Sequence, residues 1–244
     1  MASTCSAELP EPFALLTARL VVVPTPIAVN VASYRTLYAA LHSDVDFCKM
    51  GFGEHFPARG WSDDETRQVI ETRDIERSWR RHGLGDFAVG FRATPGSEDP
   101  DKASSQNPHS SVSILRGSEY EQFAGHDMTR LDEIEWVGYA GVRDATTTSL
   151  PPQSAGDPTY PPWFEMVEIR YGVSPACWGG GIAREAAEAV LQWAARKKGV
   201  KRFIAETEKE NQRSARLLQK LGFVASGTDY WKEPSETEWE LVIQ

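Results

Sequence analysis

The chain has 244 residues and a formal net charge of −9; 41% of its residues are hydrophobic and 25% are charged. This length suits one well-buried domain with insertions, or at most two small domains. An acidic surface repels phosphate backbones, so we expect no nucleic-acid partner. The chain has no apolar run long enough to cross a bilayer, so we expect no membrane partner.

The three cysteines, Cys5, Cys48 and Cys177, are odd in number and far apart. They match neither a disulfide framework nor a metal-binding spacing, and we expect no metal site. The segment from Met1 to Pro12 lacks the basic and apolar stretches of a signal peptide. We expect a cytoplasmic protein that is a monomer or a homodimer.

The first third of the chain predicts a scaffold of strands and helices. Residues 19–23 form an apolar run that prolines end, which is typical of a short buried strand, and a helix is expected over 31–41. Ser62 and Glu65 have the spacing of a capping box at the start of a helix over 62–82. Alternating residues over 86–92 then predict a half-buried strand.

The middle of the chain carries a change of composition. Residues from 94 to about 132 begin with a stretch rich in Ser, Pro, Asp and Gly that buries too little apolar surface to become ordered. We interpret 94–132 as a disordered insertion in a single domain that spans 1–244. Strands are expected over 136–144 and 164–173, joined by a Pro-rich connection.

The last third alternates strands and helices. The pattern predicts helices over 182–198 and 211–221 and strands over 201–206, 223–231 and 238–243. Strands that alternate with helices indicate an α/β (or α+β) fold with a mixed central sheet of about seven strands.

The segment that follows the strand 164–173 suggests an anion site. Pro175 turns the chain, and three consecutive glycines, Gly179 to Gly181, open the next helix. Glycines at this place let a ligand approach the main chain, and the free N–H groups of a helix start attract anions such as pyrophosphate. Unliganded tight turns share this pattern, so the glycine run alone leaves the alternatives open.

Two nucleotide-binding motifs do not fit. The chain has no G-x-G-x-x-G that opens an N-terminal strand–helix unit and no Gly-Lys-Ser/Thr of a P-loop. A nucleotide-binding oxidoreductase is therefore disfavoured.

A second motif decides the interpretation. Asn211 begins a short helix that ends at Gly222, in the pattern N-x-x-S-x-x-L-L-x-K-L-G-F, and both residues are preferred helix caps. The glycine turn, helix, strand and this second motif together resemble the GNAT acetyltransferase family over about 163–231. The Q/R-x-x-G-x-G/A signature of that family falls on Trp178-Gly179-Gly180-Gly181-Ile182-Ala183. Arg184 with its next two residues, and the Arg19-Leu20 pair, resemble the RimJ/RimL-like branch.

The resemblance implies a GNAT fold splayed around acetyl-CoA as cosubstrate. The strand main chain up to Val173 is expected to pair with the pantetheine arm. Asn211 is expected to contact the pantetheine or phosphate region, with Ser214 one turn on, although Asn211 is also a plain helix cap. The pyrophosphate is expected at the glycine turn and helix start, on Trp178, Gly179, Gly180, Gly181, Ile182, Ala183 and Arg184.

The family reaction is direct attack of a neutral amine on the thioester, so the acceptor is a small-molecule or peptide amine. Glu168 is our candidate for the group that accepts the proton or orients the substrate; its alternative is a salt-bridged strand residue. Many family members protonate the leaving thiolate with a Tyr where this chain has Leu218, and Ser214 is a possible substitute donor. Leu218 also keeps open an acyl-CoA-binding module that has lost catalysis.

Overall fold

The computed structural model describes residues 8–53, 56–92 and 112–243. The described residues contain a mixed sheet of nine strands flanked by helices. The strands are β1 (Phe13–Leu16), β2 (Leu20–Pro24), β3 (Asp86–Phe91), β4 (Ser113–Arg116), β5 (Trp136–Asp144), β6 (Val167–Val173), β7 (Arg202–Glu208), β8 (Val224–Ala225) and β9 (Glu236–Val242).

Ten α-helical segments are present in the same parts of the chain. They are α1 (Thr25–Ala28), α2 (Ala32–Ser43), α3 (Val45–Phe52), α4 (Asp63–Ile70), α5 (Arg80–His82), α6 (Gly117–Ala124), α7 (Thr129–Asp132), α8 (Ala145–Thr148), α9 (Ile182–Lys198) and α10 (Gln212–Leu221). A π-helical stretch, Glu71–Trp79, joins α4 to α5. No helix in the described parts of the chain is both long and apolar enough to span a bilayer.

The strand order is β4-β1-β2-β3-β5-β6-β7-β9-β8. Neighbouring strands are antiparallel except β6 and β7, which are parallel and are joined by the crossover helix α9. A parallel pair needs such a crossover because the chain must return to the same end of the sheet.

Helices α2 and α9 cover opposite faces of the sheet. Tyr38 of α2 packs against Tyr139 of β5 on one face. On the other face, Trp193 of α9 packs against Phe87 of β3, which pairs with Ala140, the residue next to Tyr139. Successive residues of a strand point to opposite faces, so both faces of the sheet are buried under helices.

The predicted capping box, the predicted span of α9 and the predicted C-cap of α10 are confirmed. Ser62 accepts a hydrogen bond from the Glu65 amide and donates its own amide to the Glu65 carboxylate, which is the predicted capping box. Helix α9 spans the predicted 182–198, and Gly222 adopts the left-handed conformation at the end of α10.

The strand predictions need three corrections. The sheet gains β1 and β4, which the sequence did not reveal. The strand predicted over 164–173 begins only at Val167, because 163–165 forms a 3₁₀ turn. The strand predicted over 223–231 is reduced to the two residues of β8.

The predicted disordered insertion over 94–132 is wrong for its second half. Residues 94–111 lie outside the described residues. From Ser113 onward, β4 pairs with β1 along its whole length, and α6 and α7 follow. Tyr120 and Leu131 are buried in the main core, so this half does bury apolar surface. The prediction was wrong here because it extended the polar composition of the preceding residues to this half.

A glycine at the β5–β6 contact is a structural requirement for the sheet. A Cβ on Gly138 would lie 2.2 Å from the Gly172 carbonyl oxygen and 2.8 Å from the Val173 Cα, both of which are main-chain atoms. We expect Gly138→Ala to lower the free energy of unfolding by about 1–3 kcal/mol because β6 must shift. Urea unfolding followed by tryptophan fluorescence measures this.

Gly60→Ala is the matched control. A Cβ on Gly60 meets no atom of the described residues within 4 Å, and we expect unchanged or slightly raised stability. Equal stability of the two variants would contradict the packing argument.

Candidate functional site

A cleft opens where β6 and β7 separate. The two strands pair only at Val167 with Phe203 and at Glu168 with Ile204. From Ile169 to Val173, β6 pairs with β5 alone among the described strands, and none of them pairs with its other edge. The cleft along this edge has a volume of about 810 Å³ and is bordered by β6, the glycine turn, the end of β7 and α10.

The glycine turn holds the start of α9 at the cleft. Gly179 and Gly181 have φ angles of 82° and 76°, in the region that favours glycine, and Gly181 is the N-cap residue of α9. Among the described residues, no side chain caps α9. The first helical amides, Ile182 to Arg184, are therefore left for an anion at the positive end of the helix.

The arginine that directly precedes β2 holds this turn in place. Arg19 donates from Nη1 to the Gly180 carbonyl at 3.0 Å and from Nε to Glu185 at 2.7 Å. The same carboxylate accepts hydrogen bonds from the Arg19 amide and the Thr17 hydroxyl. The Arg-Leu pair seen in the sequence thus has a physical role, which is to hold the turn and the first turn of α9 on the sheet.

Trp178 connects three parts of the cleft. Its Nε1 donates to the Val173 carbonyl at 2.9 Å, so the end of β6 is tied to the glycine turn. The Arg213 guanidinium lies 4.8 Å from the centre of the indole ring, within cation–π distance. Trp178 therefore places a cation from α10 beside the turn, where the family signature has a Gln or Arg.

Besides Arg184, the cleft has three cations in this region that the sequence analysis did not select, Arg213, Arg216 and Lys220. The side chain of Arg184 pairs with Glu188 along α9. Positively charged residues of the cleft lining in this region are Arg184, Arg213, Arg216 and Lys220. A ligand with several phosphate groups matches this charge.

Asn211 has two structural contacts at the start of α10. Its Oδ1 accepts from the Ser214 amide at 3.0 Å, which is the predicted cap, and its Nδ2 donates to the Met50 carbonyl at 2.9 Å. Asn211 and Ser214 both line the cleft. Ser214 also lies beside Tyr171, whose pKa burial raises to about 12. Tyr171 is a phenol in the cleft that the sequence analysis missed.

Glu168 lies at the point where the strands begin to separate. It is buried and forms a two-bond ion pair with Arg143, at 2.9 and 3.0 Å, and it accepts a further hydrogen bond from Ser149. Burial raises the pKa of Glu168, but Arg143, Arg170 and Ser149 together lower it more, so the pKa is below its usual value. The carboxylate is ionised and fully engaged, which makes it a weak base.

Two other carboxyl groups of the same cleft have pKa values shifted the opposite way. Burial and the nearby Glu168 and Glu236 raise the pKa of Glu206 well above its ordinary value. Burial and then Glu208 raise the pKa of Glu236 to about 7. No local motif marks these residues in the sequence.

The structure thus brings most of the predicted site residues together. The cleft lining includes Glu168, Val173, Trp178, Gly179, Gly181, Ile182, Ala183, Arg184, Asn211 and Ser214. Gly180 is not part of the lining; its carbonyl faces Arg19. Leu218 is fully buried and forms part of the wall.

A comparison with protein families identifies this arrangement. A family model described as an acetyltransferase (GNAT) domain matches residues 29–224, which is most of the chain.

The chain belongs to the GNAT family.

Solved structures share the GNAT fold of this chain at low sequence identity. An acetyltransferase from Agrobacterium tumefaciens has a TM-score of 0.57 at 16% identity, with 97% of this chain and 96% of that chain covered. A GNAT-family acetyltransferase from Bacillus anthracis has a TM-score of 0.50 at 16% identity, with coverage of 94% and 98%. The Microcin C7 self-immunity acetyltransferase MccE, solved with acetyl-CoA and AMP, has a TM-score of 0.52 at 12% identity, with coverage of 93% and 94%.

The described residues of this GNAT chain contain no cluster of three or more His, Cys, Asp or Glu side chains arranged to hold a metal ion. Three tyrosines of the described residues lie in two separate places. Tyr139 lines the cleft, whereas Tyr160 and Tyr230 pack together in a separate small cluster.

Arg19 provides a direct test of how the glycine turn is held. We expect Arg19→Ala to weaken coenzyme A binding about 10-fold, because the Gly180 carbonyl and Glu185 lose charge-assisted hydrogen bonds worth about 1.5–3 kcal/mol each. Isothermal titration calorimetry with coenzyme A measures the dissociation constant.

Arg59→Ala is the control for loss of one arginine. Arg59 pairs with Glu65 at the surface, away from the cleft, and exposed pairs contribute little. An unchanged dissociation constant in Arg19→Ala would show that the turn keeps its shape without the anchor.

Proposed function

We propose that this GNAT protein transfers the acetyl group of acetyl-CoA to a primary amine by direct attack. The observation that carries the proposal is the open edge of β6 beside an uncapped helix start in one cleft. An extended arm that ends in phosphates fits such a cleft, since main-chain groups bind the arm and helix amides bind the phosphates.

The contacts support a specific placement of acetyl-CoA. The pyrophosphate is proposed at the amides of the glycine turn, from Gly179 to Arg184, with Arg213 beside it on Trp178. The pantetheine arm is proposed along β6 from Ile169 to Val173, with Asn211 on its other side. The thioester then lies near Glu168, where the strands meet.

The two predicted catalytic residues receive different proposed roles. Glu168 is held by Arg143 and Ser149, which suits an orienting role at the acceptor end of the cleft. Ser214, which lies beside Tyr171, is proposed to deliver a proton to the leaving thiolate. This pair supplies hydroxyl groups on the wall where Leu218 offers none.

The acceptor is proposed to be a small-molecule or peptide amine, and we place the chain in the RimJ/RimL-like branch. Arg19 supports the branch because its contacts explain why an arginine is useful at the start of β2. A catalytically inactive acyl-CoA-binding module is the second candidate, and the engaged state of Glu168 together with the buried Leu218 favours it.

Acetyl-CoA binding and turnover separate these two functions. At a concentration about 100-fold above its dissociation constant, acetyl-CoA should stabilise the protein by roughly 2.7 kcal/mol, measured as a rise in the unfolding temperature. Release of free thiol with members of a panel of primary amines is the expected sign of catalysis. Stabilisation with no thiol release from any amine would favour the inactive module, and no stabilisation would contradict the cofactor site.

A pair of glycine variants tests the proposed pyrophosphate position. Gly179 and Gly227 both have positive φ, at 82° and 69°, and an added Cβ meets no atom within 4 Å at either position. Alanine costs each about 1–2 kcal/mol of backbone strain. Only Gly179 lines the cleft, so we expect Gly179→Ala, and not Gly227→Ala, to weaken acetyl-CoA binding by 10-fold or more. Equal binding by the two variants would place the phosphates elsewhere.

A further inference from the structure

Strand pairing places four carboxylates of the cleft lining on one face of the sheet. Glu168 pairs with Ile204 on β7, and Ile204 shares its face with Glu206 and Glu208 because alternate residues of a strand point the same way. Glu208 pairs with Glu236 on β9, and directly paired residues also share a face. All four line the cleft on the side where the acceptor must enter if acetyl-CoA lies along β6.

These carboxylates differ in their hydrogen-bond partners. Glu168 has both oxygens engaged by Arg143. The Oε2 atom of Glu236 is buried and accepts no hydrogen bond from the described residues. A buried acceptor without a partner costs free energy, so its retention beside an open cleft indicates that a donor on a ligand completes it.

We propose that Glu236 of β9, rather than Glu168 of β6, removes the proton from the acceptor amine. This inference rests on the proposed acetyl transfer. The raised pKa of Glu236, about 7, supports the proposal. A carboxylate with a pKa near 7 is partly ionised at neutral pH and still binds a proton more strongly than an ordinary glutamate does. Glu206 lies between the two, and burial and both neighbours raise its pKa well above its ordinary value.

The proton balance of the reaction is complete with these groups. The Glu236 carboxylate takes one proton from the acceptor ammonium, and the freed nitrogen lone pair forms a bond with the thioester carbonyl carbon. The carbon–sulfur bond then breaks, and the nitrogen loses a second proton while the thiolate sulfur gains one. The proton on Glu236 passes to solvent, so the products are an amide, coenzyme A thiol and one released proton.

The charged surroundings of Glu236 determine its titration. Burial raises its pKa most, and negative groups on three strands and a loop raise it further. Four glutamates act on Glu236: Glu168, Glu208, Glu233 and Glu238. Its neighbour Glu206 is affected by Glu236, by Glu168 and by Arg143, the ion-pair partner of Glu168. No histidine occurs in the described lining of the cleft, so an inflection near pH 7 is not expected from imidazole there.

The pH profile of kcat/KM distinguishes the two candidate bases. With an alkyl amine whose pKa is about 10, the wild type should show a rise through about pH 7, as the base loses its proton, separate from the titration of the amine. Glu236→Gln should remove that inflection and lower kcat/KM about 100-fold at pH 7, with recovery as the free amine forms at higher pH. Acetyl-CoA binding should be unchanged. Glu236→Asp should keep the inflection at a reduced rate.

Two matched variants complete the experiment. Glu168→Gln should keep an inflection, moved to lower pH because a negative neighbour of Glu236 is removed. Glu233→Gln, at an exposed position outside the cleft lining, should keep the rate and move the inflection slightly in the same direction.

Each contrary outcome has one interpretation. Loss of the inflection in Glu168→Gln with its retention in Glu236→Gln would overturn the assignment and leave acetyl transfer intact. Loss of acetyl-CoA binding in Glu236→Gln would show that Glu236 shapes the cleft and is not the base. Absence of thiol release by the wild type with every amine would overturn the proposed function and this inference together.

Discussion

The short parallel contact between β6 and β7 is the constraint on which the rest of the site depends. After Glu168 and Ile204 the two strands no longer pair, so the edge of β6 becomes a wall of the cleft. The same crossover that makes the strands parallel places the start of α9 at the cleft and brings α10 alongside it. A fully paired β6 and β7 would leave neither a free main-chain edge nor space between the carboxylates.

An opened sheet needs other contacts to hold its borders, and this chain takes them from distant parts of the sequence. Arg19, directly before β2, holds the glycine turn, 161 residues away at Gly180. Trp178 ties that turn to the end of β6, and Asn211 joins α10 to the carbonyl of Met50 in α3. Each contact satisfies a polar main-chain group, so the cleft stays open without leaving these groups unpaired.

Local sequence signals predict local structure well. The site residues that no local motif marks enter the cleft through strand pairing, which such signals do not predict. The capping box at Ser62 and the cap at Asn211 involve residues three apart, so they can be read directly. Glu236 enters the site only because β9 pairs with β7 opposite Glu208, a register that no local pattern encodes. The ordered strand β4 was missed for a related reason, since its partner β1 lies about a hundred residues earlier and the intervening composition is polar.

The charge distribution of this end of the cleft depends on Arg143, which forms an ion pair with only one of the neighbouring carboxylates, Glu168. Arg143 forms both of its strong hydrogen bonds with Glu168, which therefore stays ionised. The negative charge of Glu168 in turn raises the pKa of both Glu206 and Glu236, because like charges in a partly buried site disfavour further ionisation. The ion pair that makes Glu168 a weak base thus helps to make Glu236 a better one. A motif-based search for a glutamate on the central strand finds Glu168, which raises the pKa of the proposed base. The register of β7 and β9 identifies Glu236, the proposed base itself.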